Sequence, residues 1–403
     1  MSDKFFLDLN GTCFLYSDLF ERALSKRTFN QYCRGESIDV FCGLLQSLVL
    51  DKPITLLDLS FSDKEIKSLI GESDLSKYTE KTPEIDVKKA LKSFKNGTFL
   101  QFLELKNWKI TLFTSGSEGR PKKVEHSFSS IFKDVKISEK HKKDIWGFAY
   151  NPTHIAGLQV FMQAFLNQNF IVDLFEVSAT EVFKRIDKLC ISHISATPTF
   201  FRMLCGSDKS FKSVVRLTSG GERFDIKTMQ KLQKNFVNAK VLNVYASTEY
   251  ASMLVSNGEF FELSENMRIN NNELFIFAKL NSEQPQWHST GDMVEFVDEQ
   301  KKFFRFCSRK SDMINVGGYK VNPSEVEDVI RCIDGVRDVS VYALANSVLG
   351  NIVASDIVVD TELSEADIRK TLQGVLQNFK IPRVIKFVES IEKTRTGKTK
   401  KHR

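Results

Sequence analysis

Residues 109–123 read KITLFTSGSEGRPKK, an apolar run that passes directly into small polar residues and ends on two lysines. Such a run, closed by threonine, serine and glycine, is typical of a buried strand followed by a turn. Small residues let backbone N–H groups approach a polyphosphate, and the hydroxyls and lysines add donors and positive charge. The segment therefore predicts a strand that opens into an anion-binding loop. The segment lacks the GxxxxGK[ST] spacing of the Walker loop. Taken alone, its glycines and serines also fit a flexible surface turn.

The same transition from an apolar run to a small polar turn recurs along the chain. Residues 191–198, 214–221 and 241–248 show it. Residues 180–189 and 227–236, which lie between these runs, have apolar side chains at helical spacing. The repetition of strand, polar turn and helix predicts an α/β fold. Ligands of such folds bind at the carboxyl ends of strands, where these turns lie.

The C-terminal part of the chain predicts a separate α+β unit. Capping patterns open two helices, one at Ser324 with Glu327 and one at Ser364 with Asp367. Two predicted strands lie between them, at residues 339–344 and 351–359.

The clearest domain boundary lies near residues 308–312, after the apolar run 303–306. We therefore predict a large multi-layer α/β N-terminal domain, residues 1–308, and a small α+β C-terminal domain, residues 309–403.

Composition and charge narrow the class of protein. The chain has 403 residues, 42% of them hydrophobic, which is ordinary for a globular protein, and 34 phenylalanines, which predict a large aromatic core. The net charge is +6, and the tail from Lys393 to Arg403 is basic and has no acid. The rest of the chain is near neutral, so no nucleic-acid-coating surface is expected.

Targeting and cysteine patterns favour a cytoplasmic protein. The seven cysteines are scattered without CxxC spacing, which predicts reduced, mostly buried thiols. The N-terminus lacks the basic and apolar run of a secretory signal, and no apolar stretch is long enough to span a membrane.

Four further motifs follow the loop in order. They are Asn243–Glu249 (NVYASTE), Ser289–Asp292 (STGD), Arg309–Glu327 (RKSDMINVGGYKVNPSEVE) and Thr394–Lys398 (TRTGK). With the loop, they resemble the acyl-adenylate-forming superfamily of acyl- and aryl-CoA synthetases, peptide-synthetase adenylation domains and luciferases. The chain looks most like a shortened acyl-CoA ligase. The resemblance implies an acid–thiol ligase that activates a carboxylic acid with ATP and passes the acyl group to CoA.

The resemblance also assigns nucleotide contacts. The phosphate contacts would come from Thr114, Ser115, Gly116, Ser117, Gly119 and Lys122. Tyr245 would stack on adenine, and Gly220 and Gly221 would let the backbone lie against the purine. Asp292, with Arg309 beside it, would accept hydrogen bonds from the ribose hydroxyls. Thr248 would contact the α-phosphate, and Glu249 would bind Mg²⁺, which prefers oxygen ligands. Lys398 would stabilise the charge that develops between the carboxylate and the α-phosphate. Taken singly, most of these residues also fit core or surface positions; the ordered set favours function.

Other implied roles concern domain movement and the thiol. Residues 309–403 would form a mobile lid that carries Lys398 and rotates about the hinge residue Ser311. Gly317, Gly318 and Tyr319 would line the channel for the thiol of CoA or of a carrier protein.

The segment Asn151–Leu158 is similar to the wall of the acyl pocket in CoA ligases, which assigns His154 and Gly157 to that pocket. Relatives that activate amino acids place an aspartate near here. This chain has no acid between Asp144 and Asp173, which favours an acyl or aryl acid over an α-amino acid.

Several departures from the family pattern and several alternatives stay open. Glu118 places a carboxylate in the phosphate loop, where the family usually has threonine, and could weaken ATP binding or help hold Mg²⁺. The loop begins early in the chain, so the N-terminal domain is expected to be truncated. The acceptor could be the phosphopantetheine of a separate carrier protein instead of CoA, or the chain could be a non-catalytic nucleotide- or partner-binding homologue.

Overall fold

The computed structural model describes residues 4–114, 121–205, 207, 209–247, 252–278, 284–347, 349–394 and 398–399. The chain packs into two units. The first comprises Met1–Ala196, Phe211–Thr218 and Ser247–Ala251, and the second comprises Thr197–Ser210, Ser219–Ala246 and Ser252–Arg403. Helices and mostly parallel strands alternate through the first unit, which confirms the predicted α/β class.

Short strands form the sheets of the first unit. They are β1 (Phe5–Leu9), β2 (Thr12–Leu15), β3 (Thr28–Asn30), β4 (Tyr32–Cys33), β5 (Ile54–Leu56), β6 (Thr79–Lys81), β7 (Lys109–Thr114), β8 (Lys122–Ser127), β9 (Ile145–Phe148), β10 (Phe170–Asp173) and β11 (His193–Ala196). One sheet has the order β11–β9–β10–β1–β2, parallel except for β2. Another has the order β4–β5–β7–β8, in which β7 and β8 form an antiparallel hairpin. Strands β3 and β6 pair antiparallel.

Helices lie between these strands along the chain. They are α1 (Tyr16–Leu24), α2 (Ser37–Leu50), α3 (Asp63–Ile70), α4 (Val87–Lys95), α5 (Phe99–Phe102), α6 (Phe128–Ile131), α7 (Ile155–Leu166) and α8 (Ala179–Leu189). Helix α3 shows the local logic: Ser62 and Glu65 form a capping box at its start, and Gly71 ends it with a φ of +85°.

The second unit contains the remaining elements. They are α9 (Pro198–Met203), β12 (Arg216–Gly220, which begins in the first unit), α10 (Ile226–Asn235), β13 (Lys240–Ser247), β14 (Ser252–Ser256), β15 (Phe260–Glu262), β16 (Met267–Asn270), β17 (Glu273–Ala278), β18 (Gln286–Phe296), β19 (Phe303–Arg309), β20 (Ile314–Val316), β21 (Tyr319–Val321), α11 (Pro323–Arg331), β22 (Val336–Asn346), β23 (Gly350–Val359), α12 (Glu365–Gln373) and β24 (Val384–Phe387). Their sheets have the orders β14–β13–β12, β15–β19–β18–β17–β16 and β21–β20–β23–β22, with β24 beside β23.

Phenylalanine dominates the core of the first unit, as its abundance predicts. Phe41 and Phe161 stack with ring centroids 4.1 Å apart, and Phe94 and Phe165 stack at 4.6 Å. Burial of such large apolar surfaces stabilises the fold by about 25 cal/mol per Å².

The C-terminal elements β20 to β24, α11 and α12 enclose an apolar core of their own. Val326 and Ile330 of α11 and Ile368 and Leu372 of α12 pack with Val341 of the sheet, and all five are buried. Both predicted strands are present as β22 and β23, and Ser364 with Asp367 forms the predicted capping box of α12.

The predicted capping box at Ser324 is wrong. Helix α11 begins at Pro323, and its cap is Asn322, two residues before Ser324; the Asn322 side chain accepts the Ser324 N–H at 3.0 Å. Proline suits the first helical position because its fixed φ is helical and it lacks an N–H that would go unpaired. Glu327 instead accepts the N–H of Val341 at 3.0 Å.

The prediction of mostly buried cysteines is also wrong. All seven are free thiols, and Cys13, Cys190 and Cys332 are exposed, while the other four are partly exposed. Cys190 and Cys332 occupy the C-cap positions of α8 and α11, where the chain turns outward to solvent. Among the described parts of the chain, every helix is too short or too polar to span a bilayer.

Candidate active site

The buried carboxylate of Asp292 joins Tyr245 and Arg309, and all three residues are assigned to the nucleotide. Asp292 in β18 lies directly opposite Arg309 at the end of β19. Its Oδ1 accepts a hydrogen bond from Arg309 Nε at 2.9 Å, and its Oδ2 accepts one from the hydroxyl of Tyr245 at 2.8 Å. The Asp292 side chain is only 10% exposed. Antiparallel pairing and a shared acceptor thus bring together residues that lie far apart in sequence.

The phenol of Tyr245 is held as a neutral donor. Its ring stacks on Phe306 with centroids 4.2 Å apart. Burial and the neighbouring Asp292 carboxylate raise the pKa of Tyr245 well above its ordinary value. Each oxygen of Asp292 has a further lone pair, so the carboxylate can also accept hydrogen bonds from ribose hydroxyls. The group therefore fits the predicted ribose contact.

Lys398 lies beside the glycine turn that follows β12. A Cβ atom at Gly221 would lie 3.2 Å from Cε and 3.8 Å from Nζ of Lys398, and Gly221 has a φ of +90°. The left-handed backbone conformation favours glycine here, and the end of the Lys398 side chain occupies the space beside it. The loop that carries Lys398 is closed by its carbonyl, which accepts the N–H of Thr394 at 2.7 Å.

The β7–β8 hairpin of the first unit frames the predicted phosphate loop. Thr114 and Lys122 are directly opposite each other in the register, so both lie at the ends of the loop. The hydroxyl of Thr114 is buried and has no hydrogen-bond partner among the described residues. A buried hydroxyl without a partner is costly, and a phosphate oxygen would satisfy it. Several assigned residues lie outside the described residues: Ser115, Gly116, Ser117, Glu118, Gly119, Thr248 and Glu249.

The predicted acid-pocket segment meets a buried aspartate. Asp58 accepts hydrogen bonds from Asn151 Nδ2 at 2.8 Å and from the Ser60 hydroxyl at 2.6 Å, and His154 Nε2 lies 3.5 Å away. Burial opposes ionisation of Asp58, but His154 and Ser60 outweigh it and lower its pKa to about 2. Asp58 is therefore a compensated anion beside His154.

Gly157 allows this segment to fold tightly against α7. A Cβ atom at Gly157 would lie 2.5 Å from the carbonyl oxygen of Asn151, closer than real contacts allow. The side-chain amide of Asn151 accepts both the N–H and the hydroxyl of Thr153. These contacts fix the turn that carries His154.

The predicted thiol-channel residues form the turn between β20 and β21. Gly317 and Gly318 have φ values of +55° and +91°, which favour glycine. Tyr319 is 61% exposed and stacks on Phe379 with centroids 4.7 Å apart. Ser311, the predicted hinge, lies in a single 3₁₀ turn and donates to Asp312 at 3.1 Å.

Family comparison agrees with this geometry. Residues 64–272 match the AMP-binding enzyme family, and residues 325–398 match the AMP-binding enzyme C-terminal domain. The chain belongs to the AMP-binding enzyme family. The resemblance predicted from the five motifs is thereby confirmed.

Relatives of this AMP-binding enzyme include named CoA ligases. It is 24% identical over 405 residues to the 2-succinylbenzoate–CoA ligase of Enterococcus faecalis, which covers 88% of this chain and 82% of that protein. It is 25% identical over 340 residues to a mitochondrial acyl-coenzyme A synthetase of Homo sapiens, which covers 71% of this chain and 58% of that protein.

Solved structures share the fold of this AMP-binding enzyme. ATP-bound MatB from Rhodopseudomonas palustris has a TM-score of 0.73 at 16% identity and covers 98% of this chain and 94% of that chain. The o-succinylbenzoate coenzyme A synthetase MenE from Bacillus subtilis, in complex with ATP and a magnesium ion, has a TM-score of 0.69 at 16% identity. It covers 98% of this chain and 95% of that chain.

Two groups of this AMP-binding enzyme were missed by sequence reasoning. Asp58 was missed because it lies far from the segment it contacts. Glu222 was missed although it directly follows Gly221; it accepts the N–H of Thr399, the neighbour of Lys398, at 2.7 Å. Its place beside the glycine pair was the signal that could have found it.

Proposed function

We propose that this AMP-binding enzyme activates a carboxylic acid with ATP as an acyl-adenylate and then transfers the acyl group to the thiol of CoA. The proposal rests chiefly on the position of Lys398 at the Gly221 turn, with its Nζ 3.8 Å from the Cβ position of that glycine. The Tyr245–Asp292–Arg309 group belongs to the same unit. The CoA ligases named among its relatives support this reaction.

In the first step a carboxylate oxygen attacks the α-phosphorus, the bond to the bridging oxygen of the β-phosphate breaks, and pyrophosphate leaves. Asp292, oriented by Tyr245 and Arg309, accepts hydrogen bonds from the ribose hydroxyls, and Lys398 offsets the negative charge that develops around phosphorus. This chemistry depends on positioning and electrostatics. Mg²⁺ would neutralise the phosphate oxygens, with Glu249 as its proposed ligand.

In the second step the thiol sulfur attacks the carbonyl carbon, the thiol proton leaves, the bond to the phosphate oxygen breaks, and AMP is released. The exposed Tyr319 and the open turn at Gly317 and Gly318 supply a surface that a long, thin pantetheine arm can approach. CoA is the proposed acceptor.

The acid is proposed to be an acyl or aryl acid without an α-ammonium group. Asp58 is an acid beside the pocket segment. Its carboxylate already accepts hydrogen bonds from Ser60 and Asn151 and lies 3.5 Å from His154. A compensated carboxylate has little capacity left for a substrate ammonium. His154 and Gly157 remain the proposed wall of the pocket.

The division into domains 1–308 and 309–403 is likewise proposed, with Ser311 as the hinge. The separate apolar core of β20 to β24, α11 and α12 supports it, because a domain needs a core of its own.

An exchange assay tests the function. Acid-dependent exchange of labelled pyrophosphate into ATP is measured with 2-succinylbenzoate, benzoate, short- and long-chain fatty acids and α-amino acids. Thioester yield is then compared for CoA and for a phosphopantetheinylated carrier protein. Exchange with an acyl or aryl acid and thioester formation on CoA are expected. Failure of every acid would refute the enzyme function, and thioester formation only on the carrier would reassign the acceptor.

A further inference from the structure

The residue after Lys398 is held from three directions. The backbone N–H of Thr399 donates to Glu222 Oε1 at 2.7 Å. Its hydroxyl lies 3.2 Å from the hydroxyl of Thr199 and accepts from the guanidinium of Arg202 at 3.3 Å. Glu222 therefore fixes the main chain of Thr399, and Thr199 and Arg202 fix its side chain.

Glu222 is itself immobilised at the start of α9. Its Oε2 accepts the hydroxyl of Thr199 at 2.6 Å and the Thr199 N–H at 3.2 Å. Arg202 lies 3.7 Å from the same oxygen and donates to the Thr199 hydroxyl at 2.8 Å. The side chains of Glu222 and Arg202 are 15% and 7% exposed. Because Oε2 is engaged with α9, Oε1 is directed to a single backbone donor, and hydrogen bonds to a carboxylate are stronger than those between neutral groups.

Glu222, which binds Thr399, directly follows Gly221, beside which the Lys398 side chain lies. A Cβ atom at Gly221 would be 3.2 Å from Cε of Lys398, and Thr399 is the residue after Lys398. The loop is also closed at its base by a bridge between Lys393 and Thr399. Fixing Thr399 therefore fixes the backbone position from which Lys398 extends.

We propose that Glu222, supported by Thr199 and Arg202, is a positioning residue that holds Lys398 in place for formation of the acyl-adenylate. This inference rests on the proposed function. Glu222 acts through Lys398 and touches no reacting atom. Since the role of Lys398 lies in the adenylate-forming step, loss of Glu222 slows that step selectively and leaves thiol transfer from a preformed adenylate intact.

The first test separates the two half-reactions. Full-length wild type, Glu222→Ala and Glu222→Gln are compared in pyrophosphate exchange and in thioester formation from synthetic acyl-adenylate. A misplaced catalytic group can slow a reaction about 100-fold, so Glu222→Ala is expected to lower the exchange rate roughly 10- to 100-fold. Its thioester rate should stay within about twofold of wild type. Glu222→Gln keeps an acceptor oxygen and should fall in between. Equal loss of both half-reactions would overturn the proposal, because a merely structural residue affects both.

A double-mutant cycle provides the second test. If Glu222 acts only through Lys398, Glu222→Ala has no further effect on exchange in a Lys398→Ala background. A loss of the same size in both backgrounds would contradict the proposed role. Glu265→Gln, at an exposed glutamate, is the matched control and should behave as wild type.

Amide hydrogen exchange gives a readout that is independent of activity. Peptides containing Thr399 should exchange faster in Glu222→Ala than in wild type or Glu265→Gln, since the variant removes the acceptor of its N–H. An unchanged hydrogen-exchange rate of these peptides would refute the role of Glu222 in holding Thr399. If no acid supports turnover by the wild type, the proposed function fails, while this measurement still decides whether Glu222 holds the loop.

Discussion

The hydroxyl of Tyr245 donates a hydrogen bond to Oδ2 of Asp292 across 2.8 Å, while Arg309 binds the other oxygen of the same carboxylate. Asp292 is thereby held by Tyr245 of β13 and Arg309 of β19, which belong to two different sheets. A preorganised acceptor of this kind costs little reorganisation when a ligand binds.

Asp292→Asn should weaken ATP binding about 10- to 100-fold, because it removes a charged acceptor and leaves Arg309 without its partner. Tyr245→Phe, which removes only one donor, should cost about 2- to 10-fold. Calorimetric titration with ATP measures both. Asp334→Asn, at an exposed site, is the control. A larger effect from Tyr245→Phe than from Asp292→Asn would contradict the central role of the carboxylate.

Lys398→Ala should slow adenylate formation at least about 100-fold while changing the dissociation constant of ATP by less than about threefold. An interaction made mainly in the transition state lowers the rate without an equal loss of ground-state binding. Single-turnover pyrophosphate release and ATP titration measure the two quantities. Lys370→Ala on α12 is the matched control, at an exposed lysine. Equal losses of rate and binding would remove the transition-state role.

Asp173 should make the stability of the chain fall between about pH 4 and pH 6. Burial raises the pKa of Asp173 from its ordinary 3.8 to about 6, despite the Ser37 hydroxyl that donates to it at 2.5 Å. In this window the unfolded chain has released the proton and the folded chain still holds it. The free energy of unfolding therefore decreases as the pH rises, by about 3 kcal/mol at most.

Urea unfolding at pH 4.5 and pH 6.5 tests this expectation. Asp173→Asn stays neutral, so its unfolding free energy should decline less across the window than that of wild type. Asp187→Asn, at an exposed aspartate, should follow wild type. An identical decline in Asp173→Asn and wild type would show that another group carries the pH dependence.

Arg331→Met should destabilise the fold by about 3–5 kcal/mol. Arg331 is 12% exposed and lies 3.5 Å from Glu327, a buried carboxylate that the variant leaves without its arginine, while Asp328 keeps its ion pair with Arg223. Arg337→Met breaks an exposed pair with Asp360 at 3.3 Å and should cost at most about 1 kcal/mol. Urea unfolding compares the two variants. Similar losses would show that the burial of Arg331 does not set its contribution.

Local features of this protein follow from the sequence because their partners lie within one turn of chain. The capping box of Ser364 and Asp367 is an example, since the bonded groups are three residues apart. The helix at residues 180–189 and the strands at 339–344 and 351–359 were predictable for a second local reason. The spacing of apolar residues within each element indicates which face is buried. Even locally, Pro323 overrode the Ser324 pattern because its fixed φ favours the first helical position.

The sequence by itself determined the α/β class and the family, and it predicts the residues that would meet a nucleotide. Only the tertiary structure decided which distant side chains form hydrogen bonds with the segments that carry these residues. Glu222 and Thr399 are separated by 177 residues, and Asp58 and Asn151 by 93. No periodicity encodes such pairs, because their contact depends on how separate elements pack and on which polar groups burial forces to find partners.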